Sequence, residues 1–205
     1  MSTILEIPIP KVQNTVVIDP PLTDEEFERM CMTAEAVKLE RTKDGKIVVN
    51  APAGGDSSTS NTEIVSQLRA WWRTTNSKGA IYGPDSSFFL PDGAMLGQDA
   101  AYITAEQMRG LSRAQRAGFV HRTPAFVIEL LSPSDSVPAT KEKMEVWIAN
   151  GAQLGWLIDP RKRQVHIYEP GKTPRVERDK TVAGSGPVEG FVLDLNPVWE
   201  CFEDS

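Results

Sequence analysis

Apolar residues recur along this chain with two periods, and the switches between them mark out helices and strands. Phe27, Met30, Cys31 and Ala34 fall at helical spacing behind Thr23-Asp24-Glu25-Glu26. That tetrad is a capping box: the threonine side chain accepts a backbone N–H and the glutamate three residues on reaches back. A first helix is expected from there to about Ala36. Residues 1–21, rich in proline and β-branched side chains, have no helical period and read as an extended N-terminal arm. Leu39–Thr42 and Lys46–Val49 alternate around Lys43-Asp44-Gly45, a hairpin with Asp-Gly at its turn. Asn50–Ser60 reads as a polar loop. A second capping box, Ser60 with Glu63, opens a helix striped by Ile64, Leu68, Trp71 and Trp72 that ends before Asn76-Ser77-Lys78-Gly79.

Strand signals then crowd together. Ser87–Leu90 and Ala94–Leu96 flank Pro91-Asp92-Gly93, and Ala100–Ile103 follows Gln98-Asp99. Thr104 caps a helix expected to reach Ala117. Ala125–Leu131 is the clearest strand, apolar throughout except for Glu129. A helix from about Pro138 to Asn150 stops on Gly151, where a left-handed residue is favoured. Leu154–Ile158 and Gln164–Tyr168 form a hairpin around Asp159-Pro160-Arg161-Lys162. Residues 170–190 read as loop, and Phe191–Leu195 with a short helix around Pro197–Phe202 closes the chain. Strands interspersed with helices predict an α/β fold in one domain, 22–205, with a central mixed β-sheet flanked by α-helices.

Length and composition narrow the classes. The 205 residues suit one hydrophobic core. No apolar run approaches the ~20 residues of a membrane span, and Met1–Glu6 lacks a basic region followed by an apolar stretch and cleavage site. A cytoplasmic protein outside the membrane is expected. Lys and Arg total 22 against 28 Asp and Glu, a net charge of −6, which argues against a broad basic face for nucleic acid but leaves room for a local patch. Arg109, Arg113, Arg116 and Arg122, with His121, are the nearest thing to one. Cys31 and Cys201 follow no metal-ligand spacing and read as buried thiols. His121 and His166 are isolated, so neither a His/Cys zinc site nor a Ser-His-Asp triad is expected.

The candidate chemistry lies in acids. Glu129 interrupts an apolar strand: it either points into water from an edge strand or is desolvated, at a cost of several kcal/mol unless paired or metal-bound. Asp99 sits between two strand pieces, as a turn cap or as a second ligand. Two carboxylates on adjacent strand ends with a lysine nearby make a hard-cation site suited to magnesium, able to polarise a phosphodiester and activate water. Periodicity leaves Lys141 and Lys143 equivalent, on either flank of the apolar face formed by Met144, Trp147 and Ile148. The tryptophans fall mostly at core spacing.

From Leu39 to Phe202 the chain resembles the Uma2-type restriction-endonuclease family, a branch of the PD-(D/E)XK nuclease superfamily. Five segments in order carry the resemblance: Phe89-Leu90-Pro91-Asp92-Gly93-Ala94, Gln98-Asp99-Ala100-Ala101-Tyr102, Pro124 through Asp135, Lys143 with Trp147, and Leu154 through Pro160. The resemblance implies a restriction-endonuclease-like fold. It also implies magnesium-dependent DNA hydrolysis, with manganese able to substitute. It puts the first acid on Asp99, with Gln98 in place of the usual proline, and the second on Glu129. Metal would be held by Asp99, Glu129 and the Leu130 carbonyl. The usual lysine two residues after the second acid is Leu131 here, and the matching residue is Lys143, displaced onto the next helix. Glu63 would be a third acid from the first core helix, or only the cap of that helix. Ser132 and Asp135 would shape the loop over the metal or cap the next helix. Pro84-Asp85, Pro91-Asp92 and Asp44-Gly45-Lys46 match parts of the pattern but fall in loops and turns. Cutting both strands would call for a homodimer. Two other classes remain open on the residues: a non-cleaving scaffold on the same fold, favoured by the acidic charge, and a hydrolase of smaller phosphate esters.

Overall fold

The computed structural model describes residues 14–17, 21–34, 37–75 and 78–203. Most of the expected arm, the last turn of the first expected helix and the end of the second at Asn76-Ser77 lie outside these. In chain order the elements are β1 (Asn14–Val16), α1 (Asp24–Thr33), β2 (Lys38–Arg41), β3 (Ile47–Asn50), α2 (Gly55–Thr74), β4 (Ala80–Tyr82), β5 (Ser87–Phe89), β6 (Met95–Gly97), β7 (Ala100–Ile103), α3 (Ala105–Arg109) and α4 (Arg113–Ala117). Then come β8 (Phe126–Leu130), α5 (Val137–Ala149), β9 (Leu154–Asp159), β10 (Gln164–Tyr168), β11 (Arg175–Glu177), β12 (Thr181–Ala183), β13 (Val192–Asp194) and α6 (Asn196–Glu200).

Two sheets hold the core. The central one is six-stranded, ordered β11-β10-β9-β8-β7-β4, with β8 and β9 parallel and every other pair antiparallel. The period of two along β8 sends Phe126, Ile128 and Leu130 to one face, against Ile64 and Leu68 of α2 and Val198 and Trp199 of α6. Val127 goes to the other face, against Met144 and Trp147 of α5. A β8–α5–β9 crossover between parallel neighbours is what puts a helix there. This is the mixed sheet with helices on both faces that a restriction-endonuclease-like fold requires. The second sheet, β1-β3-β2-β6-β5, packs Leu39, Ile47, Val49, Phe89 and Met95 around Phe27 of α1.

Local chemistry sets most boundaries. The Thr23 capping box forms, with Thr23 N–H donating to Glu26 Oε2 at 2.9 Å and Glu26 N–H to Thr23 Oγ1 at 3.3 Å. The Asp44-Gly45 and Asp92-Gly93 turns put their glycines at φ 78° and 89°, where a Cβ would be strained.

Four expectations are corrected. α2 starts at Gly55 with Gly54 as its cap and no side-chain cap bond. The Asn50–Ser60 loop is therefore half helix, and Ser60 and Glu63 form no capping box. Four hydroxyl residues in five concealed this start, since Ser and Thr compete for the backbone and read as loop. The single helix expected to Ala117 is two short ones broken around Gly110. Residues 170–190 contain β11 and β12. Cys31 and Cys201 are half-exposed rather than buried.

Candidate active site

The site grows from one row across the central sheet. β8 and β9 pair Glu129 with Leu157, and β9 and β10 pair Leu157 with His166. On the other side, one residue beyond the Ala100–Ile128 pair, Asp99 comes level with Glu129. Glu129 and Leu157 face α5, which lies over this row.

Glu129 is only 5% exposed, so its charge needs partners. Lys143 Nζ straddles the carboxylate at 3.0 and 3.1 Å, and Trp147 Nε1 donates to Oε1 at 3.0 Å. Lysine and tryptophan are four residues apart on α5 and so project from one face. Asp99 is held differently. Its N–H donates to the Ile128 carbonyl at 3.0 Å. Its Oδ2 accepts Leu130 N–H at 2.7 Å, and Oδ1 accepts Asn61 Nδ2 of α2 at 2.8 Å.

The second sheet closes the cluster. Glu40 of β2 reaches Lys143 Nζ at 2.8 Å and accepts Gly97 N–H at 2.9 Å, both on Oε1. Lys38 Nζ passes alongside to the Pro84 carbonyl at 2.8 Å. It does so over Gly97, where a Cβ would run into the end of the lysine side chain. Any larger residue at this position would therefore push the Lys38 ammonium aside.

The electrostatics follow. Burial pushes the Glu129 carboxyl up to about 7, with Asp99 and Glu40 adding to the rise and Lys143 opposing it. Burial also raises Asp99, against the pull of Leu130 N–H, Lys38, Lys143 and Asn61. At Glu40 burial is outweighed by Lys143, and the carboxyl lies below its ordinary value. Burial works against the charge of Lys143, but Glu129 and Glu40 override it, and the ammonium is locked on. An always-charged lysine between a firmly ionised acid and one poised near neutrality can orient a water and meet negative charge developing on a substrate.

The structure thus brings Asp99, Glu129 and Lys143 together. Glu63 goes elsewhere: it faces α6, accepts Gln67 Nε2 at 2.9 Å and lines an open cavity with Ser58, Thr62, Pro197 and Cys201. Asp135 accepts Ser132 N–H at 2.7 Å, which fixes the loop after β8; the α5 cap, Ser136, makes no side-chain cap bond. Of the arginine strip, Arg122 donates to the Gln107 carbonyl and Arg116 to that of Ser112. None of the four bonds Asp99, Glu129 or Lys143 among the described residues.

Sequence reasoning passed over three groups of this cluster. Glu40 was a charged residue in a hairpin strand whose neighbours Leu39 and Val49 are buried, and that contrast was the available signal. Asn61 lay within the segment that drew attention to Glu63, but two positions along a helix is about 200°, so only one of them can face Asp99. Trp147 read as core, which it is, yet its indole N–H is what a buried carboxylate requires.

Among the described residues no group of three or more His, Cys, Asp and Glu side chains is arranged to hold a metal ion. The donors that do converge are all oxygens: the two coupled carboxylates and Asn61 Oδ1, which is buried without a hydrogen-bond partner. A hard cation fits such a set, since it takes carboxylate, carbonyl and water oxygens.

Comparison with known proteins bears on the family and the fold. The Uma2 family model, described as putative restriction endonuclease, matches residues 24–196. A crystal structure described as a putative nuclease belonging to DUF820, from Anabaena variabilis, superposes with a TM-score of 0.70. That match covers 89% of this chain and 100% of that one at 19% identity, and so speaks for the fold. No curated protein matches the chain.

Proposed function

The chain belongs to the Uma2 restriction-endonuclease-like family, and from that premise we propose that it is a magnesium-dependent nuclease hydrolysing DNA phosphodiesters. The observation that carries the reading is the level pair Asp99 and Glu129 with Lys143 Nζ 3.0 Å from the latter. Magnesium, or manganese in its place, would be held by Asp99, Glu129 and the Leu130 carbonyl, and would supply Lewis-acid polarisation of the phosphate. Asn61 orients Asp99 from α2, the helix to which Glu63 also belongs. Trp147 fixes Glu129 through Oε1, and Lys143 positions the attacking water. Because one such site cuts one strand, cleavage of duplex would favour a homodimer in a cytoplasmic setting. No helix among the described residues is long and apolar enough to cross a membrane.

Incubation of the protein with plasmid and oligonucleotide DNA in magnesium and in manganese tests this. Cleavage by the parent and its loss in Glu129→Gln is the expected result. Metal binding without cleavage would instead favour a scaffold, for which the net charge of −6 speaks. Hydrolysis only of a small phosphate monoester or diester would move the substrate class.

A further inference from the structure

His166 lies on the same row of the central sheet as Glu129, two strands away with Leu157 between them. Two strand spacings are roughly 9–10 Å. Around it the chain gathers an opposite kind of polar group. Arg178 donates to Gln164 Oε1 at 3.0 Å, which fixes that amide so that Nε2 is left to donate. It does so to His166 Nε2 at 3.0 Å and more loosely to Asp159 Oδ2 at 3.4 Å. The His166 Nε2 is therefore the bare nitrogen, and the ring proton sits on Nδ1, where no protein group among the described residues accepts it. Burial, then Lys141, Lys162 and Arg178 against Asp159, hold the imidazole pKa below its ordinary value, so the ring is a neutral donor. Lys141 overhangs from α5. Lys162 follows from the β9–β10 turn, where Asp159 Oδ1 receives its N–H at 3.3 Å. Arg161 of the same turn ties back to the Ser132 carbonyl at 2.7 Å, three residues from Glu129.

The acid that acts on the imidazole, Asp159, is buried and already engaged with Lys162 N–H and Gln164, while Lys162 and Arg178 are exposed. We propose that Lys141, Lys162, Arg178 and the His166 Nδ1–H form a docking site for a nucleic-acid backbone phosphate flanking the scissile one. It rests on the nuclease reading and adds to it where the strand runs: from the Asp99–Glu129 pair past Lys141 of α5 to the β9–β10 hairpin. The offset corresponds to about three nucleotide steps at 3.4 Å of rise. It also explains how an acidic protein holds a polyanion, through a local patch rather than its net charge.

The test is a salt titration of binding to a fluorescein-labelled DNA duplex in calcium. Every phosphate that is no longer neutralised lowers the log–log slope by about 0.9. Lys162→Ala/Arg178→Ala, both exposed positions, is expected to reduce the slope by about 0.9 on that scale and low-salt affinity at least tenfold, with an unchanged manganese-induced shift in Tm. Lys43→Ala/Lys46→Ala in the exposed β2–β3 turn removes the same charge and is expected to leave the slope alone. Equal slopes for the parent and the Lys162/Arg178 variant, or equal reductions in both double variants, would overturn the docking site while leaving the nuclease reading intact. A reduced slope in a protein that never cleaves would keep the site and remove the nuclease. No binding by the parent at low salt would overturn both.

Discussion

The two flanks of α5 sit over one row of the same sheet and do opposite things with charge. On one flank Lys143 closes over Glu129 and Glu40, with its side chain 20% exposed. On the other, Lys141 stands beside a neutral histidine and two exposed cations. The first flank is a cluster in which acids enclose one lysine, the second a patch in which Lys141, Lys162 and Arg178 outweigh the buried Asp159 at His166. What separates them is the strand beneath: β8 supplies an acid to the row and β10 an imidazole. Helix periodicity made the two lysines equivalent, and only the sheet register distinguishes them.

Removing Lys143 should widen the difference most. Breaking a buried ion pair from one side costs about 3–5 kcal/mol, because the remaining charge is stranded, and Lys143 serves two acids. Lys143→Met is expected to lower Tm by on the order of 10 °C, and to reduce metal-dependent cleavage by roughly 10²–10³ as a preorganised cation is removed. Adding Glu40→Gln should recover much of the Tm and none of the cleavage. Recovery of both would make Lys143 a purely structural residue.

The sequence by itself leaves Lys143 on a solvated flank, and so contains no sign of this effect. The strand carrying Glu129, the two Asp-Gly turns and the Thr23 cap were legible because each depends on local pattern. Glu40 was not, because its burial is produced by packing the second sheet against α5, where it meets a lysine 103 positions away in sequence. Glu63 and Asn61 show the same limit. The helix was foreseen, but its cap is Gly54 rather than Ser60, and its facing is decided by β7 and α6.

Metal sharpens the contrast next. Asp99→Asn removes one of the two level carboxylates and, with it, like-charge repulsion against Glu129. Its metal-free Tm should equal or exceed that of the parent. The parent should gain about 1.4 kcal/mol for each tenfold rise in manganese above its dissociation constant, and Asp99→Asn should gain nothing. Thermal melts across a manganese series read both. An undiminished gain in the variant would take Asp99 out of the site.

The flanks should also titrate in opposite senses. Glu129 rises from its ordinary 4.5 to about 7 on folding. The folded state therefore holds the proton more tightly, and the stability this contributes is full below 4.5 and is lost as pH rises through 7. His166 is lowered from 6.5 on folding, so its contribution is full above that value and is lost as pH falls below it. Metal-free urea midpoints read the two by difference. Compared with Glu129→Gln, the parent's midpoint should fall from about pH 5 to 7 and run level above. Compared with His166→Gln, it should rise with pH and level off near 6.5. A parent that loses no ground to Glu129→Gln through this range would contradict the burial of Glu129.

The smallest effect, and the one that tests the open flank alone, is expected of Lys141→Ala. A half-exposed lysine on a helix flank contributes within about ±0.5 kcal/mol to stability, so Tm should hardly move. Its distance from Glu129, with Leu157 and the helix body between, leaves the reacting phosphate untouched, so kcat should be retained. A single phosphate contact acts on ground state and transition state alike, and uniform binding appears in KM. A rise in KM of a few-fold at low salt, fading as salt screens the contact, is therefore the signature. The Lys143 variant should show the reverse, a fall in kcat that salt does not alter. Should Lys141→Ala lower kcat instead, the two flanks of α5 would be parts of one catalytic centre, and the division between a lysine enclosed by acids and a phosphate-binding patch would fail.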